Sequence, residues 1–112
     1  MKLLITGGAG YIGTHILTEL LPLGYEICVV DDFSNSKHKA LDHVRTLTGK
    51  TFQILELNLC DYEALNKICN DFKPDAVIHL AGLKAVSESV QMPLKYYEKN
   101  VASSIQLLKA LD

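Results

Sequence analysis

The chain has 112 residues, of which 48% are hydrophobic and 21% are charged, and its formal net charge is −2. This length predicts one small domain with an ordinary globular composition. The slight negative charge gives no indication of a nucleic-acid surface, and no stretch approaches the roughly 18 apolar residues of a membrane span.

The three cysteines Cys28, Cys60 and Cys69 are an odd number without C-x-x-C spacing. This pattern favours neither a disulfide framework nor a zinc site. We therefore expect a cytoplasmic protein that binds no metal, no nucleic acid and no membrane. The apolar start is interrupted by Gly7 and Gly8, which argues against a secretory signal.

Four short apolar runs predict strands, and four segments with helical spacing alternate with them. The strands are expected at 3–5, 27–30, 52–55 and 76–80. The helices are expected from apolar stripes within 12–21, 41–47, 65–72 and 94–108. The polar segment 32–38 predicts a loop.

This βαβαβαβα alternation is typical of a parallel sheet that is covered by helices on both faces. Because crossovers are right-handed, the order 3-2-1-4 is favoured. We therefore predict an α/β fold: a partial, Rossmann-type, doubly wound sheet of four strands and four main helices, spanning residues 1–112 as one domain.

Gly7, Gly10 and Gly13 follow the first strand and begin the first helix with G-x-x-G-x-x-G spacing. In that context a glycine turn indicates a dinucleotide site, where the phosphates meet the helix N-terminus. A plain glycine-rich turn without a ligand is the alternative. A Walker phosphate loop is excluded, because Thr14 and His15 follow where Lys and Ser/Thr are required.

Asp31 ends the second strand, 18 positions after Gly13. An acid at about this distance accepts hydrogen bonds from the adenosine ribose and repels a 2′-phosphate, which favours NAD over NADP. The alternative is a turn residue that ends a strand. Lys37 and Lys39 argue for NADP, but they are more simply interpreted as solvated charges.

Three segments carry a family resemblance: 6–15 (TGGAGYIGTH), 29–36 (VVDDFSNS) and 79–90 (HLAGLKAVSESV). They resemble the extended short-chain dehydrogenase/reductase superfamily. The last segment, with the P-L-x-Y-Y that follows it, is similar to the UDP-glucose 4-epimerase family. The resemblance covers this whole chain but only about the first third of such an enzyme.

The resemblance implies NAD as cofactor and a role for each matching position. The glycine turn with Tyr11 and Ile12 would meet the pyrophosphate, 31–36 the ribose, 58–59 the adenine, and 80–84 the nicotinamide half. Asn100 belongs to a helical Asn motif of the family. The predicted cofactor-binding residues are Gly7, Gly10, Tyr11, Ile12, Gly13, Asp31, Asp32, Asn35, Ser36, Asn58, Leu59, Leu80, Ala81, Gly82, Lys84 and Asn100.

Four positions depart from the family pattern. Asn58 stands where the family usually has Asp, and Asp32 replaces a common Asn. Lys99 and Ser103 stand where the family often has Asn and Gly. We expect Asn58 to weaken adenine binding, Asp32 to add a negative charge beside the ribose, and Lys99 to remove a polar contact.

The implied reaction interconverts UDP-glucose and UDP-galactose by transient oxidation at C4 of the hexose, with a catalytic Tyr-x-x-x-Lys. The five tyrosines here are followed four positions later by His15, Val29, Asn66, Asn100 and Val101, and none of these is Lys. No catalytic residue is therefore assigned. We expect a truncated product or fragment that is inactive alone, and we doubt that it forms the homodimer expected of the full-length family.

Two other functions stay open. One is another NAD-dependent sugar-nucleotide epimerase or dehydratase. The other is a non-catalytic nucleotide-binding remnant. Whether the protein is an enzyme is not decided by these residues.

Overall fold

The computed structural model describes residues 1–83 and 85–112 and contains one parallel sheet. Its strands are β1 (Lys2–Thr6), β2 (Glu26–Asp31), β3 (Gln53–Glu56) and β4 (Ala76–His79). They lie in the order β3-β2-β1-β4, which confirms the predicted order. The observed strands begin or end within one residue of the predicted ones.

Helices connect the strands and follow the last one. They are α1 (Tyr11–Leu20), α2 (His38–Thr48), α3 (Tyr62–Phe72), α4 (Val86–Gln91), α5 (Pro93–Tyr96) and α6 (Ser103–Leu111). A short 3₁₀ turn, Leu21–Leu23, extends α1, and a π-helical segment, Tyr97–Ala102, joins α5 to α6. Within the part of the chain that the structure describes, no helix is long and apolar enough to span a bilayer.

Each face of the sheet has its own hydrophobic core. Leu3 and Ile5 of β1 point to one face and pack with residues of α1 and α2, including Leu17 and Leu41. Leu4 points to the other face, where residues of α3 and α6 cover it. This alternation explains why the strand sequences are apolar without interruption, because both faces are covered.

The carboxyl ends of three strands meet at one edge of the sheet. Thr6 at the end of β1 is in register with Val30 of β2 and His79 of β4. Loops 7–10, 32–37 and 80–83 begin here, and they surround the point between β1 and β4 where the direction of winding reverses. Open parallel sheets bind ligands at this place.

The prediction for the last helical region was partly wrong. The structure has a separate helix, α4, before Pro93, and the predicted stripe from Leu94 to Leu108 is not a core face. All five of its members are 49% exposed or more: Leu94, Tyr97, Val101, Ile105 and Leu108. The buried side chains of this region are Ser103, Leu107 and Ala110 instead.

One smaller expectation was also wrong. Leu47, placed in the second stripe, is 75% exposed, although Leu41 and Val44 of that stripe are buried. His79 ends β4, an edge strand among the described residues, and its side chain is partly exposed.

Candidate functional site: a cleft at the glycine turn

The glycine turn is held tightly between β1, β2 and the segment after β4. Gly7 adopts a φ of +69°, and its N–H donates to the carbonyl oxygen of Val30 at 2.8 Å. A Cβ on Gly7 would lie 2.6 Å from the backbone nitrogen of Ala81, and one on Gly13 would lie 2.6 Å from the Gly7 oxygen. Both positions therefore require glycine for backbone packing.

Gly10 differs from these two glycines. Its φ of −76° and ψ of 179° suit any residue. A Cβ there would meet only the Gly7 oxygen at 3.4 Å and the Ser36 hydroxyl oxygen at 4.0 Å. Gly10 lines a cleft, so the space that a side chain would occupy is open to a ligand and is not filled by other protein atoms.

The N-terminus of α1 adjoins this room. Gly10 is its N-cap and has no side chain to accept from the first-turn N–H groups, and no acidic residue occupies the first turn. Free N–H groups and the positive end of the helix dipole together attract an anion. The arrangement therefore fits a phosphate group close to Gly10.

Asp31 connects the end of β2 to the glycine turn. Its Oδ2 accepts from the backbone N–H of Ala9 at 3.1 Å, and its Oδ1 accepts from the N–H of Phe33 at 2.8 Å. The carboxylate is 8% exposed and lines the cleft. Each oxygen keeps a second lone pair, so the carboxylate can still accept from ligand hydroxyls.

Asp32 lies on the rim of the cleft. Its Oδ1 accepts from both the N–H and the hydroxyl of Ser34, at 3.0 and 2.7 Å. Its Oδ2 is 3.6 Å from the Nζ of Lys99. Partial burial would raise the pKa of the Asp32 carboxyl, but the Ser34 hydrogen bonds and the Lys99 charge outweigh it and hold the pKa below its ordinary value.

Thr6 holds the start of the loop after β4. Its hydroxyl oxygen accepts from the N–H groups of Leu80 and Ala81 at 3.1 and 3.3 Å. The same hydroxyl is 2.6 Å from Nδ1 of His79. These contacts fix the backbone that forms the floor of the cleft beside Gly7.

Asn100 holds the other end of this loop. Its Oδ1 accepts from the N–H of Leu83 at 2.7 Å, and its Nδ2 donates to the Leu83 carbonyl at 2.8 Å. Asn100 is not among the residues that line the cleft, so the structure gives it a positioning contact with the loop. A Cβ on Gly82 would lie 3.0 Å from Oδ1 of Asn100, which explains the glycine there.

The cleft has a volume of about 420 Å³ and brings together most of the predicted site. Fourteen of the sixteen predicted cofactor-binding residues line it: Gly7, Gly10, Tyr11, Ile12, Gly13, Asp31, Asp32, Asn35, Ser36, Asn58, Leu59, Leu80, Ala81 and Gly82. Asn100 lies behind the loop as described above. Lys84 lies outside the described residues.

Six residues outside the named set of sixteen also line the cleft: Val30, Ser34, Leu57, Leu83, Lys99 and Ser103. Ser34 and Leu83 lie within the segments 31–36 and 80–84 that were assigned to the ribose and to the nicotinamide half. Val30 and Leu57 directly adjoin predicted residues, and that adjacency was the available signal. Lys99 and Ser103 come from the segment after β4, more than 60 residues along the chain from Asp32. Lys99 and Ser103 line the cleft because of how that segment packs, and their spacing in the sequence does not indicate this packing.

The shape and donor set of the cleft suit a dinucleotide. Room for phosphates lies at Gly10, and a buried carboxylate that can accept from ribose hydroxyls lies at Asp31. Apolar walls at Leu57 and Leu59 lie near Asn58, where a base could be placed. The part of the chain that the structure describes contains no cluster of three His, Cys, Asp or Glu side chains able to hold a metal ion.

Comparison with known proteins agrees with this geometry. Residues 4–112 match the GDP-mannose 4,6 dehydratase family. The UDP-glucose 4-epimerase of Bacillus subtilis is 49% identical over 112 residues, which are 100% of this chain and 33% of that protein. A UDP-glucose 4-epimerase sequence from Klebsiella pneumoniae is 42% identical over 111 residues, 99% of this chain and 80% of that sequence.

Among solved structures, UDP-glucose 4-epimerase from Bifidobacterium longum in complex with NAD⁺ and UDP superposes with a TM-score of 0.96. It is 41% identical, and the match covers 99% of this chain and 33% of that one. The chain thus spans about a third of the length of the Bacillus and Bifidobacterium proteins. The resemblance to UDP-glucose 4-epimerases is therefore confirmed. The chain belongs to the GDP-mannose 4,6 dehydratase family, and the relatives described above are UDP-glucose 4-epimerases.

Proposed function

We propose that residues 1–112 form the NAD-binding part of an enzyme like UDP-glucose 4-epimerase. Such an enzyme interconverts UDP-glucose and UDP-galactose by transient oxidation at C4 of the hexose. The observation that carries the proposal is the cleft in which the open position at Gly10 and the buried Asp31 carboxylate lie together. Phosphates and a ribose need these two features next to each other at the end of a βαβ unit. The Bifidobacterium relative, solved with NAD⁺ and UDP, supports the same ligand class.

Different residues along the cleft would contact different parts of the dinucleotide. The backbone at Tyr11 and Ile12 would receive the pyrophosphate, with Gly7, Gly10 and Gly13 as the turn. The segment 31–36 would hold the adenosine ribose, and Asn58 with Leu59 would flank the adenine. The segment 80–82 would lie under the nicotinamide half, and Asn100 would keep that loop in place. Lys84 is assigned to the nicotinamide-side ribose by the family resemblance alone.

Asp31 selects NAD rather than NADP in this proposal. Its carboxylate is buried and fixed by two backbone N–H groups, so it cannot turn away from the ribose. A 2′-phosphate would be placed against a fixed negative charge. Asp32 adds a second negative charge on the same side.

The residues described here bind and orient, and none of them is assigned a proton-transfer role. NAD, when bound, supplies the hydride acceptor for oxidation at C4 of the hexose. The floor of the cleft, held by Thr6 and Asn100, would fix the face on which the substrate meets the cofactor. The Tyr-x-x-x-Lys pair that the reaction needs is not among these 112 residues. We therefore propose that this chain alone has no epimerase activity.

A UDP-hexose and a second copy of the protein are the proposed partners of the complete enzyme. The exposed row of Leu94, Tyr97, Val101, Ile105 and Leu108 supports the second copy, because it is a large apolar surface on one helical region. We propose a cytoplasmic location, since Cys28, Cys60 and Cys69 are all free thiols.

Gly10→Ala tests the proposal with calorimetry of NAD⁺ binding. The backbone at Gly10 accepts alanine, so folding should be unchanged, but the new methyl group would occupy the phosphate position. We expect NAD⁺ affinity to fall at least tenfold with an unchanged melting temperature.

Gly24→Ala is the matched control. Gly24 has a φ of +90° and no atom within 4 Å of an added Cβ, at a distance from the cleft. This variant should lower the melting temperature and keep NAD⁺ affinity, because alanine is strained at that φ. If the wild-type protein does not bind NAD⁺ at millimolar concentration, the proposal is contradicted. The chain would then be a remnant that binds a different nucleotide or binds no nucleotide.

A further inference from the structure

Asp32 and Lys99 form an ion pair across the mouth of the cleft. Asp32 follows β2, and Lys99 belongs to the π-helical segment that follows β4. β1 lies between β2 and β4, with its glycine turn at the same edge. The contact of 3.6 Å between Asp32 Oδ2 and Lys99 Nζ therefore joins two walls of the cleft that Gly10 also lines.

The two partners differ in how firmly they are held. Asp32 is fixed through its other oxygen by Ser34, which donates two hydrogen bonds. The Lys99 side chain is 31% exposed, and its ammonium is too far from Asp32 for a good hydrogen bond. A partly exposed ion pair at this distance is weak, and the lysine is easily drawn to a better partner.

Lys99 is also the only cation among the described residues that line the cleft. Two carboxylates, those of Asp31 and Asp32, line the same cleft. A ligand that brings phosphate charges into this cleft needs a compensating cation, and a lysine on a flexible stem can supply one as a point charge.

Lys99 lies in a local departure from α-helical geometry. Tyr97–Ala102 is π-helical, so the turn is wider than in an α-helix. Within this segment Asn100 contacts Leu83, and its neighbour Lys99 reaches Asp32. Short π segments of this kind are frequent at functional sites.

We propose that Lys99 is a phosphate-binding residue of this cleft: it rests on Asp32 in the free protein and moves to a phosphate oxygen when a nucleotide carrying a pyrophosphate binds. This assignment rests on the proposed function and deepens it. It reverses the expectation that Lys99 only removes a polar contact. Asp32 and Lys99, both departures from the family pattern, then act as a pair of opposite charges.

Calorimetry with three probes tests the proposal: NAD⁺, ADP and adenosine, each at low and at high salt. Lys99→Gln should weaken NAD⁺ and ADP binding about tenfold and reduce the salt dependence of both, because a charged contact is lost. Adenosine binding should not change, since it carries no phosphate.

Asp32→Asn is the matched variant, because it removes the other half of the pair. Because Asp32 also belongs to the proposed ribose-binding segment, the readout is the ratio of ADP affinity to adenosine affinity, in which the ribose contact cancels. Asp32→Asn should keep or raise this ratio, since Lys99 loses a competitor, and the double variant should lower it as far as Lys99→Gln alone. If both single variants lower the ratio equally, the ion pair has only a structural role and the proposal is overturned.

The outcomes also separate this inference from the proposed function. If the protein binds ADP in a way that depends on Lys99 but does not bind NAD⁺, the proposed function is contradicted and this inference is supported. If Lys99→Gln binds NAD⁺ and ADP with affinities within twofold of wild type, only this inference is contradicted. A wild-type chain that binds neither NAD⁺ nor ADP would overturn both.

Discussion

The carboxylate of Asp31 accepts a hydrogen bond from the backbone N–H of Ala9, with Oδ2 and the nitrogen 3.1 Å apart. The contact ties the end of β2 to the glycine turn after β1, across 22 positions of sequence. The residue proposed to bind the ribose is therefore also the residue that holds the phosphate-binding turn in place.

Asp31→Ala should lower both stability and NAD⁺ affinity. It leaves the N–H groups of Ala9 and Phe33 without their acceptor, which costs about 1–3 kcal/mol of unfolding free energy for buried groups. Urea denaturation measures the stability, and calorimetry measures the affinity. Asp42→Ala is the control, because the Asp42 side chain is 67% exposed and lies on α2. Equal stabilities of the two variants would contradict the structural role of Asp31.

His79 links β1 to the last helix through a chain of hydrogen bonds whose direction can be assigned. The Ser104 hydroxyl donates to the Asn100 carbonyl at 2.6 Å, so it accepts from Nε2–H of His79 at 3.0 Å. Nδ1 is then unprotonated and accepts from the Thr6 hydroxyl at 2.6 Å. This arrangement requires a neutral imidazole.

Stability should consequently fall in mildly acidic solution. Partial burial lowers the pKa of His79 from 6.5, so the folded state binds the proton less readily than the unfolded state. The stabilising contribution is complete above about pH 6.5 and is lost as the pH falls through the lower folded-state pKa. Melting temperatures from pH 8 to pH 5 measure this loss, and His79→Gln should flatten the part of the profile that His79 causes. His43→Gln, at an exposed position on α2, is the control for the replacement of a histidine by glutamine.

Asn100→Ala should loosen the floor of the cleft. The side chain makes both of its hydrogen bonds to Leu83, at 2.7 and 2.8 Å, and alanine makes neither. We expect a loss of about 1 kcal/mol of unfolding free energy and faster amide hydrogen exchange at Leu83. Asn70→Ala, at an exposed site on α3, is the control. Unchanged exchange at Leu83 would argue against the positioning role.

The sequence was most informative where a local pattern determines the structure. Alternating apolar runs and helical stripes predicted the four strands, because both faces of each inner strand are buried. The right-handedness of crossovers predicted their order. The glycine spacing and Asp31 predicted most of the cleft, because a βα turn and the end of the next strand always lie at the same edge of such a sheet.

Features that depend on long-range packing could not be predicted in this way. The row from Leu94 to Leu108 has the spacing of a core face, and spacing alone does not distinguish a core from an exposed apolar surface. The helix Val86–Gln91 lacks a regular apolar stripe. Lys99, which pairs with Asp32, lies in a π-helical segment, for which the sequence offers no periodic signal.

The exposed apolar row predicts concentration-dependent self-association of this chain, which reverses the doubt about a homodimer that the sequence alone raised. Leu108 is 67% exposed on α6, and burying such a side chain in a second copy would gain about 1.5–3 kcal/mol. Leu108→Glu should shift the sedimentation equilibrium toward monomer. Leu23→Glu is the matched control, because Leu23 is 68% exposed but lies in the 3₁₀ turn after α1. If both variants shift the equilibrium equally, or if the wild type is monomeric at every concentration, this row does not pair two copies.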